Sequence, residues 1–395
     1  MPGVPPTCEE LVHQIEEKIG SGARLTREEA EALFEVRDIT QIGALADLAR
    51  RRKHPDRVVT YIVDRNINPT NVCVARCKFC AFDRLPGDPE GYLLTDEEIF
   101  AKIDELLRIG GIQILLQGGH HPRLGVEYYE RLFSEIKKRY RIHVHALSPP
   151  EVIHLARVSK VSVREALERL RAAGLDSIPG GGAEILVERV RRLISPHKAT
   201  TAQWLKVMRE AHRLGMRTTA TMMFGHVETV SDRVEHLLRI RELQDETHGF
   251  TAFICWTFQP GGSELDLPKA GPYDYLRTLA ISRLVLDNVE NLQTSFVTQG
   301  PKIGQLGLFF GANDFGSAML EENVVRSAGT DCLMTVEEIE RAILDAGFVP
   351  ARRTMTYERL GEPGPTTCLP PGDSRPSEGC GPAGGEAGLR GGVTC

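Results

Sequence analysis

The chain of 395 residues has little surplus charge of either sign, with 48 Lys and Arg against 54 Asp and Glu and a formal net charge of −6. It lacks the basic excess of a nucleic-acid binder, and its densest basic cluster, Arg51-Arg52-Lys53-His54, is short. No run approaches the ~20 apolar residues of a membrane span, and Met1-Pro2-Gly3-Val4-Pro5-Pro6 has neither the charged nor the apolar region of a secretory leader. A cytoplasmic location, with no nucleic-acid and no membrane partner, is therefore expected. A disulfide framework is missing as well, because nine cysteines is an odd number and Cys73, Cys77 and Cys80 crowd together as cluster or metal ligands do. What is abundant is apolar material, at 41% of residues against 26% charged, which excludes a wholly disordered chain and suffices for a large core.

Dividing the length by about 150 suggests two or three domains, yet α/β barrels routinely exceed that size as one domain. Residues 7–50 carry two helical patterns, the second opened by a capping box from Thr26 to Glu29. Short apolar runs then alternate with amphipathic segments. The strand candidates are Val58–Val63, Ile112–Leu116, Ile142–Leu147, Leu175–Ile178, Met216–Met223, Phe250–Trp256, Leu292–Val297 and a weaker Leu308–Ala312. Alternation of this kind predicts an α/β fold, a (β/α)8 TIM-type barrel with its chemistry at the strand C-termini. Pro149-Pro150 and Gln259–Gly271 read as rim loops. The expected organisation is an N-terminal helical extension over 1–56, a barrel with a C-terminal cap over 57–360, and a Gly/Pro-rich disordered tail over 361–395.

Cys73-x3-Cys77-x2-Cys80 directly follows the first strand. A structural zinc site needs a fourth ligand, and paired C-x2-C motifs are absent. Three thiolates holding a [4Fe–4S] cluster leave one iron open to a substrate or cofactor. With Phe79 before the last cysteine, the motif resembles that of the radical S-adenosylmethionine superfamily. The resemblance implies Cys73, Cys77 and Cys80 as cluster ligands, S-adenosylmethionine on the open iron, and one-electron cleavage to a 5′-deoxyadenosyl radical.

By the same resemblance, Gly118-Gly119 would serve the methionine amino group, Gly225 and Glu228 the adenine, and Glu184 a ribose hydroxyl. Read alone, Gly118-Gly119 is a βα turn, Glu228 a first-turn helix acid, and Glu184 an acid in a Gly-rich loop that opens a helix. His143 and His145 alternate on one strand and face one side. Arg76, Arg84 and Arg217 are candidates for a substrate carboxylate. Cys255 reads as a small hydrophobe.

Five further blocks are similar to the cyclic dehypoxanthinyl futalosine synthase family of menaquinone biosynthesis. They are Ile114–Pro122, His145–Glu151, Gly174–Glu184, Thr218–Thr229 and Trp256–Pro260, within a resemblance running from about Leu11 to Leu360. Cys255 and Gly262 depart from it, since the family usually has Pro and Asn there. The resemblance implies an oxidoreductase that abstracts the C4′ hydrogen of dehypoxanthine futalosine and closes the carbon radical onto the benzoate ring. Loss of an electron and a proton then restores aromaticity, and His145, Glu228 and Asp314 are the candidate bases. It also implies an electron donor such as flavodoxin or ferredoxin and admits a homodimer. Aminofutalosine synthase and the deazaflavin-forming synthases are the alternative enzymes, and an iron or zinc sensor or scaffold is the non-enzymatic one.

Overall fold

The computed structural model describes residues 7–330 and 332–361, so the expected tail falls, from residue 362 on, outside the described residues. Among the described residues nine parallel strands carry the fold: β1 (Val58–Ile67), β2 (Gln113–Leu116), β3 (His143–Ala146), β4 (Ser177–Ile178), β5 (Arg217–Phe224), β6 (Phe250–Thr257), β7 (Asn291–Gln293), β8 (Asp314–Met319) and β9 (Val349–Arg352). The first eight follow one another around the sheet, and β8 returns to β1 to close the barrel. The expected (β/α)8 architecture is thus present.

Helices between the strands begin where the sequence can cap them. Thr95 with Glu98, Ser148 with Glu151, Thr200 with Gln203 and Thr229 with Asp232 form reciprocal capping boxes, each satisfying free N–H groups at a helix start. The Val163–Ala173 helix buries Ala166, Leu167 and Leu170 and ends at Gly174, whose φ of 116° suits a residue without Cβ. Ahead of β1 stand three helices, not two: α1 (Cys8–Ser21), α2 (Arg27–Leu33) and α3 (Ile39–Lys53). The capping box from Thr26 to Glu29 opens α2 as expected, and Asp38 caps α3 separately. These helices lean on the barrel's outer helices, with Arg24 paired to Asp245 and Asp287 and the Arg277 guanidinium donating to the carbonyls of Phe34 and Val36.

Three expected elements move. The apolar Leu308–Ala312 run is a turn after the Pro301–Gly307 helix that leaves Phe309 exposed, and the eighth strand is the neighbouring Asp314–Met319. Leu292–Val297 stops being strand at Gln293 and enters a short helix at Phe296. Pro149-Pro150 does not loop but starts the Pro149–Val158 helix, where the missing N–H of proline costs no hydrogen bond.

The ninth strand has no counterpart among the expected elements. It pairs with Val58–Tyr61 of β1, while β2 takes Asp64–Ile67. Tyr61 O accepts from Arg353 N and Val63 O from Ile112 N, so β9 and β2 share one edge of β1. Its position brings Arg353 and Met355 to the inner wall.

Candidate active site

The barrel interior and its C-terminal loops enclose a cavity of about 450 Å³. Alternate residues of the longer strands face it, as the two-residue period requires: Ile62, Asp64 and Asn66 on β1, Thr219, Thr221 and Met223 on β5, Ile254 and Trp256 on β6. The wall is therefore more polar than the apolar strand runs suggest, because the hydrophobic alternates lie under the helices.

Cys73, Cys77 and Cys80 all line this cavity, as does Phe79. Their loop is tied to itself: Cys73 N donates to Arg84 O, Arg84 N to Asn71 O, and Asn71 accepts from Tyr92 N through its side chain. Cys80 N donates to Cys77 O. Burial pushes the Cys77 thiol up to about 12 and the Cys80 thiol up to about 11, and it also raises Cys73. Without a bound cation these are neutral thiols, and a cation bound by them reverses that preference. Among the described residues no three His, Cys, Asp or Glu side chains stand as a ready-made metal set. In donor chemistry, three soft sulfurs from one loop at one cavity fit an iron–sulfur cluster with one unfilled position.

Gly118 and Gly119 line the same cavity. A Cβ on Gly119 would stand 2.3 Å from Val72 O and one on Gly118 2.9 Å from Thr70 O. Glycine is required here because the cysteine loop occupies the space of the missing side chains, so the two loops touch backbone to backbone. Glu151, not among the expected site residues, fixes this turn: its carboxylate accepts from Gly118 N at 2.9 Å and from Ser148 N at 2.8 Å. A signal for it exists in the sequence, since Glu151 stands three residues after Ser148.

Glu184 also faces the cavity, in the left-handed region at φ 41°. Lys198 donates to its Oε1 at 3.0 Å, while Oε2 is buried with no hydrogen-bond partner. The Gly180–Glu184 segment does not open a helix, because the helix starts only at Glu188. Lys198 is a second site residue that sequence reasoning misses. Burial opposes its charge, but Glu184 and Cys77 hold its pKa above the ordinary value, and it lies 5.4 Å from the Phe79 ring centroid. Nothing local in the sequence marks it.

Of the candidate bases, only His145 lines the cavity. Its Nδ1 is 2.7 Å from Ser177 Oγ, which His143 Nε2 also meets at 2.7 Å, so the two histidines share one side as expected. Burial, with His143 and Arg353 nearby, holds the His145 pKa well below the usual imidazole value. Glu228 and Asp314 stand off the cavity wall, and their oxygens are taken by permanent donors. Glu228 accepts from Gly225 N and His226 N and pairs with Arg233. Despite burial, His226 and Arg233 keep its pKa far below the carboxylate range. Asp314 is fully buried and accepts from Thr60, Gly316 N and both Nε and Nη2 of Arg353. Gly225, at φ 87°, packs against Ala270 of the rim insertion and also lies off the wall.

None of Arg76, Arg84 and Arg217 lines the cavity. Arg84 pairs with Glu90, and Arg217 opens β5 at the opposite barrel end, donating to His248 O. The cavity's arginine is Arg353. Cys255 is fully buried within β6, between two cavity-facing neighbours, and is part of the hydrophobic core. Gly262 has φ 68°, a conformation that Asn tolerates, so this departure preserves the loop's shape.

Residues 67–240 match the Radical SAM superfamily and residues 247–365 the CofH/MqnC C-terminal region. A cyclic dehypoxanthine futalosine synthase of Halalkalibacterium halodurans is 47% identical over 87% of this chain and 93% of its own. One from Streptomyces coelicolor is 48% identical, covering 87% and 88%. An aminodeoxyfutalosine synthase of Thermus thermophilus is 38% identical, covering 88% and 95%. Among solved structures, methylornithine synthase (PylB) superposes with a TM-score of 0.68 at 17% identity, covering 86% of this chain and 97% of that one, a likeness of fold. The cysteine loop, the closed barrel and these identities together place the chain in the radical S-adenosylmethionine superfamily, as a member of the cyclic dehypoxanthine futalosine synthase family.

Proposed function

We propose that the protein cyclises dehypoxanthine futalosine by radical chemistry in menaquinone biosynthesis. The observation that carries this reading is the identity of 47% and 48% to the two cyclic dehypoxanthine futalosine synthases over 87% of the chain. The superfamily uses a [4Fe–4S] cluster and S-adenosylmethionine, and Cys73, Cys77 and Cys80 would hold that cluster. When bound, the pair supplies a 5′-deoxyadenosyl radical able to take hydrogen from C4′ of the substrate's ribose-derived ring.

The remaining work belongs to the chain. Gly118 and Gly119, braced by Glu151, present backbone beside the cysteine loop for the methionine end of the cofactor. Glu184 Oε2, which accepts no hydrogen bond and lies 3.6 Å from Arg191 Nη1, supplies an acceptor for a ribose hydroxyl. Glu228 acts at one remove, since its carboxylate shapes the Gly225 turn that would meet the adenine. His145, neutral and fixed by Ser177, offers the substrate a hydrogen-bonding wall. A barrel that surrounds the substrate holds the carbon radical against one aromatic carbon, so proximity and exclusion of solvent are the main catalytic contributions. The reductant is a low-potential donor of the flavodoxin or ferredoxin type.

Anaerobic reconstitution with iron and sulfide, then reduction in the presence of S-adenosylmethionine and dehypoxanthine futalosine, tests this. Mass spectrometry should find 5′-deoxyadenosine and a product lighter than the substrate by two hydrogen atoms. An adenosylated product instead would assign the chain to the chemistry of the aminodeoxyfutalosine synthases.

A further inference from the structure

The cyclisation ends with a proton leaving the aromatic ring, and the base must lie on the cavity wall, be dry, and gain stability on protonation. Among the described residues five carboxyl side chains reach that wall: Asp64, Asp83, Glu151, Glu184 and Glu322. Asp83 accompanies the cysteine loop, and Glu184 is paired with Lys198 and Arg191. Glu151 and Glu322 are helix caps that accept from backbone N–H groups, Glu322 from Val324 N and Val325 N. A backbone N–H cannot become an acceptor, and each Glu151 oxygen accepts one; Glu322 Oε2 accepts instead from Asn66 Nδ2, whose amide is held against flipping because its Oδ1 accepts from Asn68 Nδ2.

Asp64 differs. It is 3% exposed and lies on β1 facing the cavity. Its Oδ1 accepts from Ser317 Oγ at 2.5 Å and its Oδ2 from Gln113 Nε2 at 2.9 Å. Both partners can turn round: a hydroxyl accepts as well as donates, and an amide flip exchanges N–H for oxygen. Gln113 Oε1, moreover, is buried and has no hydrogen-bond partner. Both Asp64 oxygens have a donor when it is ionised, and a flip that presents the unpartnered Gln113 Oε1 gives the protonated acid an acceptor.

Resting on the cyclase reading above, we propose that Asp64 is the catalytic base that takes the ring proton, with Gln113 and Ser317 reorienting as it is protonated. In this step the ring radical formed by closure breaks its one tetrahedral C–H bond. The proton goes to an Asp64 oxygen. One of the two bonding electrons completes the aromatic sextet, and the other leaves to a one-electron acceptor of the oxidised iron–sulfur class. Other charges facing Asp64 are Arg353 just after β9 and Glu322 beyond β8. Burial and Glu322 favour the neutral acid, whereas Arg353, Ser317 and Gln113 favour the carboxylate, which leaves Asp64 able to exist in both forms. His145 is the poorer acceptor, because its protonation would create a buried charge beside Arg353 and His143.

Reconstituted wild-type enzyme and Asp64→Asn should be compared for cyclised product formed per 5′-deoxyadenosine released. Asp64→Asn should still release 5′-deoxyadenosine with substrate present, and its product ratio should fall by about a hundredfold or more. An unchanged ratio in Asp64→Asn overturns the proposal. If wild type itself gives no cyclised product, the cyclase reading fails instead. Should Asp64→Asn not fold, Ser317→Ala decides. Losing the hydroxyl that supports the carboxylate should move the acid limb of the product-ratio profile to higher pH, and an unmoved limb counts against Asp64. The cluster-free protein gives a separate readout. A folded-state pKa above the unfolded value adds stability at low pH that is lost as pH rises through the folded pKa. Replacing Asp64 by Asn should therefore change the slope of unfolding midpoint against pH in that window, and parallel slopes contradict a titrating Asp64.

Discussion

Cys73, Cys77 and Cys80 are legible in the sequence because their spacing is local: one loop carries all three, so neighbours along the chain are neighbours in space. Asp64, Lys198 and Arg353 are not, since what makes each notable is its surroundings, contributed by distant strands. The clue to Asp64 lies in the period of β1, where Thr60, Asp64 and Asn66 share one parity within an apolar strand. If the three cysteines hold the cluster, replacing any one by Ala should leave reconstituted protein with little cluster iron and an unchanged far-ultraviolet circular dichroism spectrum. Wild-type iron content in such a variant would show that the cysteine loop is not the cluster site.

Glu228 yields a second test of single-residue chemistry. Its carboxylate is stabilised in the fold by His226 and Arg233, so its folded pKa lies below the unfolded value. The sign follows: this stabilisation is present above about pH 4.5 and declines as pH falls toward the folded value. Glu228→Gln should be less stable than wild type at pH 7, and urea midpoints should show the deficit shrinking as the pH is lowered toward 3. A deficit constant with pH would mean that Glu228 stabilises the turn by shape alone.

Among secondary elements, helices are the most readable, because capping boxes and apolar periodicity are both written within one segment. Val163–Ala173 follows the capping Ser162 and Asp96–Arg108 the capping box of Thr95 and Glu98, and each buries one apolar stripe. Strands whose reason for existing lies elsewhere escape such a reading. Asp314–Met319 is poor in β-branched residues and is strand because it is laid between β7 and β1. Val349–Arg352 contains a proline and is held by half an edge of β1. Arg353, which follows it, is 5% exposed, and its side chain is paired with a fully buried Asp314. Replacing Arg353 by Ala strands that carboxylate without its cation and should destabilise the protein by about 3–5 kcal/mol, measured as a lower urea midpoint for the cluster-free chain. A loss under about 1 kcal/mol, the size of an exposed pair, would show that β9 is held by its backbone bonds alone.

For the molecule as a whole, eight alternations of strand and helix are enough to indicate a closed barrel, and closure puts every strand C-terminus around one cavity. The Gly118-Gly119 turn and Glu184 meet the cysteines there although 38 residues or more separate each from Cys80. The barrel also explains why Gly225 and Glu228 stand outside the wall: their turn packs against the rim insertion. What the sequence period cannot show is which polar residues stand at the same depth, since depth depends on strand stagger set by pairing register.

Hydrogen abstraction from C4′ of the substrate is the step on which all the later chemistry depends, and substrate carrying deuterium at that carbon reads it directly. Incubated anaerobically with reduced, cluster-loaded protein and unlabelled S-adenosylmethionine, it should yield 5′-deoxyadenosine bearing deuterium, together with a cyclised product that has lost it. Unlabelled 5′-deoxyadenosine alongside cyclised product that keeps its deuterium would place the abstraction at another carbon and contradict the mechanism.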